Sequence, residues 1–241
     1  MPNIIDFSIL PNVMPSAEDK VKNIREMVYT TLRIWIVHLY LVPDTVLVDK
    51  EICAALNVSQ TPVREAFQRL AKDGVLTVYP QRGTYVSKIS AERANEAKLI
   101  RRGLEREVLA SLRLPLRQEL LLKMQHNLSL QNMLFQDSEK PESAIEFFRR
   151  DNELHSIFFE HAGLLRVWEV IEQYSMNSDR VRILYLQNVS DWTPSLNQHK
   201  LMWEAAAEGS TEKLMTVWES HFENIDDAFL VARDRYPGYF L

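Results

Sequence analysis

The chain is predicted to be mainly α-helical, with a helix-turn-helix and a small β hairpin in its first third and an all-helical bundle behind them. Between Asn57 and Leu70 an amphipathic helix follows a shorter one through a tight turn, and two β-prone runs come next. From Ser90 onwards strand signals vanish, and apolar residues recur at three- and four-residue spacing with interruptions at Pro115, Pro141, Pro194 and Gly209-Ser210. At 241 residues, 46% hydrophobic and 25% charged, the composition is that of an ordinary soluble globular protein with room for two domains.

Residues 1–15 have no clear period and read as a tail. Ser16-Ala17-Glu18-Asp19 is a helix start, its acidic residues favoured by the positive end of the helix dipole. That helix runs to about His38 with Val21, Ile24, Val28, Leu32 and Ile36 inward, and Leu41-Val42-Pro43-Asp44 makes the next turn. Lys50 to Leu56 forms a short helix with Ile52, Ala55 and Leu56 facing in, and Cys53 as a small buried residue. Asn57 suits the tight turn, because it tolerates positive φ better than most residues.

Ser59 then serves as an N-cap whose hydroxyl can accept from a free backbone N–H, and Pro62 sits in the first turn where its missing donor costs little. Val63, Ala66, Phe67 and Leu70 make one apolar stripe, with Gln60, Thr61, Arg64 and Gln68 off it. Gly74 to Tyr79 and Thr84 to Ser87 are the β-prone runs, joined by Pro80-Gln81-Arg82-Gly83 as a basic-tipped hairpin. Helix, helix, turn, helix and hairpin over residues 16–88 compose a winged helix. Its second helix of the pair can present side chains to base edges in the major groove.

The bundle is assigned to residues 89–235, with a terminal tail at 236–241. Ser90-Ala91-Glu92 opens a helix carrying Ile100, Leu104 and Val108, and a second runs from about Gln118 to Phe135. A polar connection from Asp137 to Glu142 leads to segments at roughly 143–161, 164–187, 194–208 and 211–232, the second breakable near Ser178, so the bundle has six or seven helices. Trp168, Trp192, Trp203 and Trp218 are read as packing residues. There are no internal repeats, and six glycines are too few for a phosphate-binding loop.

The net charge of -5 argues against a chain that coats nucleic acid indiscriminately. Local charge differs: between Ser59 and Lys88 the cations Arg64, Arg69, Lys72, Arg82 and Lys88 face only Glu65 and Asp73. A single cysteine excludes an internal disulfide framework. The start lacks the cationic region of a secretory signal, and no apolar run approaches the ~20 residues of a membrane span. The expected location is the cytoplasm, with no membrane partner.

In the bundle, Asp151 and His155 are four apart and share a helical face, so carboxylate and imidazole can converge on one cation. His199 and His221 lie on later helices; by spacing alone a single histidine there is more often packed or solvated than a ligand. Arg101 and Glu105 on the first bundle helix read as a helix-surface ion pair.

The run Leu47…Val58-Ser59-Gln60-Thr61-Pro62-Val63-Arg64-Glu65-Ala66…Arg69-Leu70…Asp73-Gly74…Pro80-Gln81-Arg82-Gly83-Thr84-Tyr85-Val86 resembles the DNA-binding domain of the GntR family of bacterial regulators, over about Val21 to Val86. Related sequences usually carry Gly where this chain has Asp44, and many carry Arg in place of Gln60. The resemblance implies a homodimer on double-stranded DNA, reading a palindromic operator with half-sites about one turn, roughly 34 Å, apart. Arg64 is expected to donate two hydrogen bonds to a guanine, worth ~1–3 kcal/mol of discrimination. Ser59 and Thr61 can meet phosphate or a thymine methyl; Lys50 and Arg82, with Gln81 and Gly83 beside it on the wing, supply phosphate or minor-groove contacts. Gln60 suits adenine rather than guanine.

The second half resembles the FCD domain, the ligand-binding bundle of the FadR-like branch. Its motif is Asp-x-x-Phe-His followed by one His on a later helix and one on the last. Asp151, His155, His199 and His221 fall on all four positions, with Leu154 replacing Phe. The resemblance therefore implies a divalent metal, Zn²⁺ first, with Ni²⁺, Mn²⁺ or Fe²⁺ also suited to three imidazoles and a carboxylate. Positions left open on a five- or six-coordinate ion suit a small carboxylate effector. Arg101 matches an Arg-x-x-Leu-Glu pattern and is the expected effector-binding or ligand-orienting group. The reading is a transcriptional regulator, of the repressor kind, and not an enzyme. An enzyme with the same metal ligands would turn over a substrate without shifting DNA; a metal-binding adaptor would keep its DNA response without the metal.

Overall fold

A computed structural model describes residues 24–241 apart from 139 and 190, together with Ile5 and Leu10; the side chains of 224–227 are not described. The tail at 1–15, the start at Ser16 to Asp19 and Val21 lie outside the described residues, Ile5 and Leu10 excepted. The chain divides into two compact units, residues 1–91 with 238–241, and residues 92–237.

The first unit contains α1 (Ile24–Val37), β1 (Val46–Leu47), α2 (Asp49–Leu56), α3 (Gln60–Lys72), β2 (Leu76–Tyr79) and β3 (Gly83–Val86). The three strands form an antiparallel sheet in the order β1-β3-β2, with Val46 opposite Tyr85 and Thr77 on its other side. The core joins Val28, Leu32 and Ile36 of α1 to Val63, Phe67 and Leu70 of α3, all fully or nearly fully buried. Asn57 ends α2 in the left-handed region at φ 51°, which sets the sharp entry into α3. Asp44 stands at φ 66°, the conformation that explains the Gly usual there.

Several inward assignments are corrected. Ile24 is 58% exposed, and on the eight-residue α2 only Ile52 and Leu56 are buried. Ala55 is exposed and Cys53 only half-buried, because so short a helix covers one narrow i, i+4 face. Ser59 is the N-cap of α3 but its side chain makes no capping hydrogen bond. The terminal residues are tied down: Phe240 is buried and pairs in parallel with Ile89, whose N–H donates to the Tyr239 carbonyl.

The second unit holds seven α-helices among the described residues: α4 (Ala91–Ser111, its first residue in the other unit), α5 (Gln118–Gln136), α6 (Pro141–Ala162), α7 (Leu165–Tyr174), α8 (Met176–Leu186), α9 (Thr193–Glu208) and α10 (Thr211–Arg235). The break between α7 and α8 falls at Ser175, not Ser178. The Ser175 hydroxyl donates to the Ile171 carbonyl, a back-bond that bends helices. Leu120, Met124, Leu154, Phe158, Met202 and Trp218 form the centre of one continuous core.

On α4 the buried face is not the apolar one expected. Ala94, Ala97, Arg101, Glu105 and Val108 point in, while Ile100 and Leu104 are half-buried. Burying a charged pair at the expense of two aliphatic residues has a cause inside the bundle.

Candidate metal centre and DNA-reading face

In the first unit, Gln60, Thr61, Arg64 and Gln68 are exposed on α3, beside exposed Ser59. Lys50 is exposed on α2, and Gln81, Arg82 and Gly83 are exposed at the hairpin tip. Gln81 at φ 63° and Gly83 at φ 112° form the reversal, which the Tyr85 hydroxyl braces by donating to the Arg82 carbonyl. Arg64 is 63% exposed in its side chain, and its Nε donates to Asp49 Oδ2 at 2.9 Å. Asp49 thus steadies the guanidinium across the two helices of the motif.

The basic patch is less free than its composition suggests. Arg69 donates to Glu26 at 2.6 Å and lies 3.5 Å over the Tyr29 ring, so it fastens α3 to α1. Lys88 lies 3.9 Å from Asp44. Lys50, Lys72 and Arg82 remain exposed cations.

In the second unit, α6 brings Asp151 and His155, α9 brings His199 and α10 brings His221 into one buried cluster whose ligand atoms lie within 4.8 Å of one another. Each imidazole is held from behind through Nδ1: His155 by Glu105 Oε2 at 2.8 Å, His199 by Gln131 Oε1 at 2.7 Å, His221 by Gln198 Oε1 at 3.0 Å. The tautomer follows from the network. Asn127 Nδ2 donates to the Arg150 carbonyl, which can only accept, so Asn127 Oδ1 must accept from Gln131 Nε2. Gln131 Oε1 is then the acceptor for His199 Nδ1–H, and the lone pair of His199 is on Nε2. His155 Nδ1 faces a carboxylate and His221 Nδ1 faces Gln198 Oε1, both acceptors, so their lone pairs are likewise on Nε2.

Two of those Nε2 atoms face Asp151 at close range. His199 Nε2 is 3.1 Å and His221 Nε2 3.6 Å from Asp151 Oδ1. The Nε2 atoms of His155 and His199 are fully buried with no properly aligned hydrogen bond among the described residues. Buried polar nitrogens left without a hydrogen bond are costly. Three imidazole lone pairs and a carboxylate that converge, each ring held from behind by a hydrogen bond, make a donor set suited to a divalent cation.

Charge states agree. Burial, with the neighbouring His199 and His155, pushes the His221 imidazole down to about 3, and burial also lowers His199, so both are neutral at pH 7. Burial works to raise Asp151, but Arg182 outweighs it and holds the carboxyl well below its usual range. Glu105, equally buried, is likewise held ionised by Arg101 and His155.

Arg101 is buried, not on the surface. Its Nε donates to Glu105 Oε1 at 2.5 Å and its Nη1 to Asn152 Oδ1 at 3.1 Å, while Nη2 is 3.9 Å from Asp151. Trp218 Nε1 donates to Glu105 at 2.8 Å, completing the network that turns the charged face of α4 inward. Sequence reasoning missed Glu105, Gln131 and Gln198 as supports, and Arg182 altogether. Arg182 on α8 donates to Asp151 Oδ2 and, at 3.0 Å, to Asn152 Oδ1. A cavity of about 50 Å³ beside the cluster is lined by Phe147, Asp151, Arg182, Tyr185, Ser195 and His221, among others.

A winged helix followed by an all-helical bundle with a buried cluster of potential metal ligands points to a class of protein, the DNA-binding transcriptional regulators. The comparisons with known proteins agree. The model of the bacterial regulatory proteins, gntR family, matches residues 24–86, and that of the FCD domain matches residues 98–224. The chain is 28% identical to the HTH-type transcriptional repressor RspR of Escherichia coli K12, over 90% of this chain and 93% of that protein. It is 30% identical to an HTH-type transcriptional regulator in an unstable DNA locus of Streptomyces ambofaciens, over 90% of this chain and 89% of that one. A GntR-type transcriptional regulator from Rhodococcus sp. RHA1 superposes with a TM-score of 0.70 at 25% identity, covering 86% of this chain and 98% of the other. The chain belongs to the GntR family and carries an FCD domain; it is a transcriptional regulator, not an enzyme.

Proposed function

We propose that this regulator binds a palindromic operator as a homodimer, and that a small carboxylate metabolite at a divalent metal centre in the FCD domain controls its affinity. The supporting observation is the set of three imidazoles whose Nδ1 atoms are tied back and which gather around Asp151 in one buried cluster. Asp151, His155, His199 and His221 would hold the ion, Zn²⁺ first, with Ni²⁺, Mn²⁺ or Fe²⁺ as competitors. When bound, it would supply a fixed positive charge with open coordination positions for an anionic effector. The cytoplasm is the proposed place of action, and repression, the activity in the name of the E. coli relative, is the proposed sign.

On the DNA, Arg64 would read a guanine, with Ser59, Thr61, Lys50, Gln81, Arg82 and Gly83 setting register on phosphates and the minor groove. An effector moves such an equilibrium only by its differential affinity for the two placements of the reading heads. The test is fluorescence anisotropy on operator DNA with protein stripped by chelator, reloaded with Zn²⁺, and reloaded with Zn²⁺ plus a panel of short organic acids. At least one acid should shift affinity only in the metal-loaded form; identical curves with and without metal for every acid would sink the proposal.

Gln60 makes a separate prediction. Because a side-chain amide pairs bidentately with adenine, Gln60→Arg should convert the preferred base at one operator position to guanine, by ~1–3 kcal/mol. Binding-site selection on both proteins checks this. A guanine preference already present in the Gln60 protein would contradict it.

A further inference from the structure

We infer that Arg182 is the effector's carboxylate anchor and that it is armed by the metal. This rests on the metal-centre reading above. Asp151 divides its two oxygens: Oδ1 faces His199 and His221, and Oδ2 accepts from Arg182. One carboxylate therefore serves both the imidazole cluster and the guanidinium. With the cluster free of metal, Arg182 is the cation in direct hydrogen-bond contact with buried Asp151. A cation taken up by the three imidazoles and Oδ1 would draw on that same carboxylate; Asp179, whose Oδ1 is 3.6 Å from Arg182 Nη1, stays as the guanidinium's other counter-charge, and the net positive charge at the edge of the cavity rises.

The surroundings of Arg182 fit an anion subsite. Its side chain is 11% exposed, lies 4.8 Å over the Phe148 ring, and is steered by Asn152. Asp151 and Asn152 take two of its five N–H donors in hydrogen bonds among the described residues. The cavity it lines is small, about 50 Å³, which suits a short ligand beside the guanidinium and the cluster. The Phe147 ring walls it on one side and Ser195 offers a hydroxyl. The ligand class is a short-chain organic acid, its carboxylate on Arg182. Arg101, the arginine expected for this role, is committed to Glu105 and Asn152 instead.

The test uses full-length protein, Zn²⁺ and malonate as the probe acid, followed by isothermal titration and intrinsic tryptophan fluorescence. In wild type, malonate should bind the Zn²⁺-loaded protein and not the stripped one. In Arg182→Met, Zn²⁺ should bind at least as tightly as in wild type, since a competing cation is gone. Malonate affinity should fall about 10- to 100-fold, the value of a hydrogen bond to a charged group. Arg182→Lys, which keeps the charge and the Asp151 contact but not the fork, secures the result if the Met variant folds poorly, and should show an intermediate loss. Unchanged malonate affinity in the Zn²⁺-loaded variants overturns the role of Arg182 and leaves the metal centre standing. Wild-type protein that takes up no Zn²⁺ overturns the metal centre and this inference together.

Discussion

Glu105→Leu should destabilise the metal-free protein by about 3–5 kcal/mol, the cost of leaving a buried charge without its partner. Glu105 is 1% exposed and accepts from Arg101 Nε, His155 Nδ1 and Trp218 Nε1. Its removal strands a buried guanidinium and two buried N–H donors at once. The effect has a defined pH dependence. The folded carboxyl is held below its usual 4.5, so its stabilisation is complete above that value and is lost as pH falls towards the folded value. The gap between wild type and Glu105→Leu in urea unfolding should therefore narrow below pH 4.5. Pairing the change with Arg101→Met should restore part of the loss, because the stranded charge goes too. A single-variant loss of under about 1 kcal/mol would mean water reaches Arg101, contrary to its burial.

His199→Ala should cost more than the 10- to 100-fold in metal affinity typical of losing one support behind a ligand, because it removes a ligand itself (about 100-fold or more). His199 is wholly buried, and its ring stands 4.7 Å from that of His221 and 5.9 Å from that of His155. Gln131→Leu leaves the imidazole in place but unties its Nδ1, and should lie in the 10- to 100-fold range. Competition titration against a chromogenic chelator gives all three affinities. Equal affinity in wild type and His199→Ala would place the ion elsewhere.

The helix-turn-helix was legible because its signals are local. The stripe of Val63, Ala66, Phe67 and Leu70 fixes the buried face of α3, and Asn57 marks a turn that only a few residues tolerate. The errors arose where tertiary partners override local pattern. Arg69 looked available for phosphate until α1 supplied Glu26 and Tyr29, residues 43 and 40 positions away. On α4, Ile100 and Leu104 satisfied the period, yet burial went to Arg101 and Glu105 because α6 and α10 bring their partners. The four candidate ligands could be picked out from a family motif. Their supports could not, since Glu105, Gln131 and Gln198 lie 50, 68 and 23 positions from the histidines they hold. Arg182 carried no motif; only the crossing of α8 over α6 sets it against Asp151.

The most direct measurement is a crystal structure of Zn²⁺-loaded protein with anomalous data collected on both sides of the zinc edge. The account predicts one anomalous peak per chain, enclosed by Asp151, His155, His199 and His221 with Nε2 of each imidazole at about 2.0–2.1 Å. A zinc peak bound elsewhere, or imidazoles coordinating through Nδ1 after breaking from Glu105, Gln131 and Gln198, would contradict it.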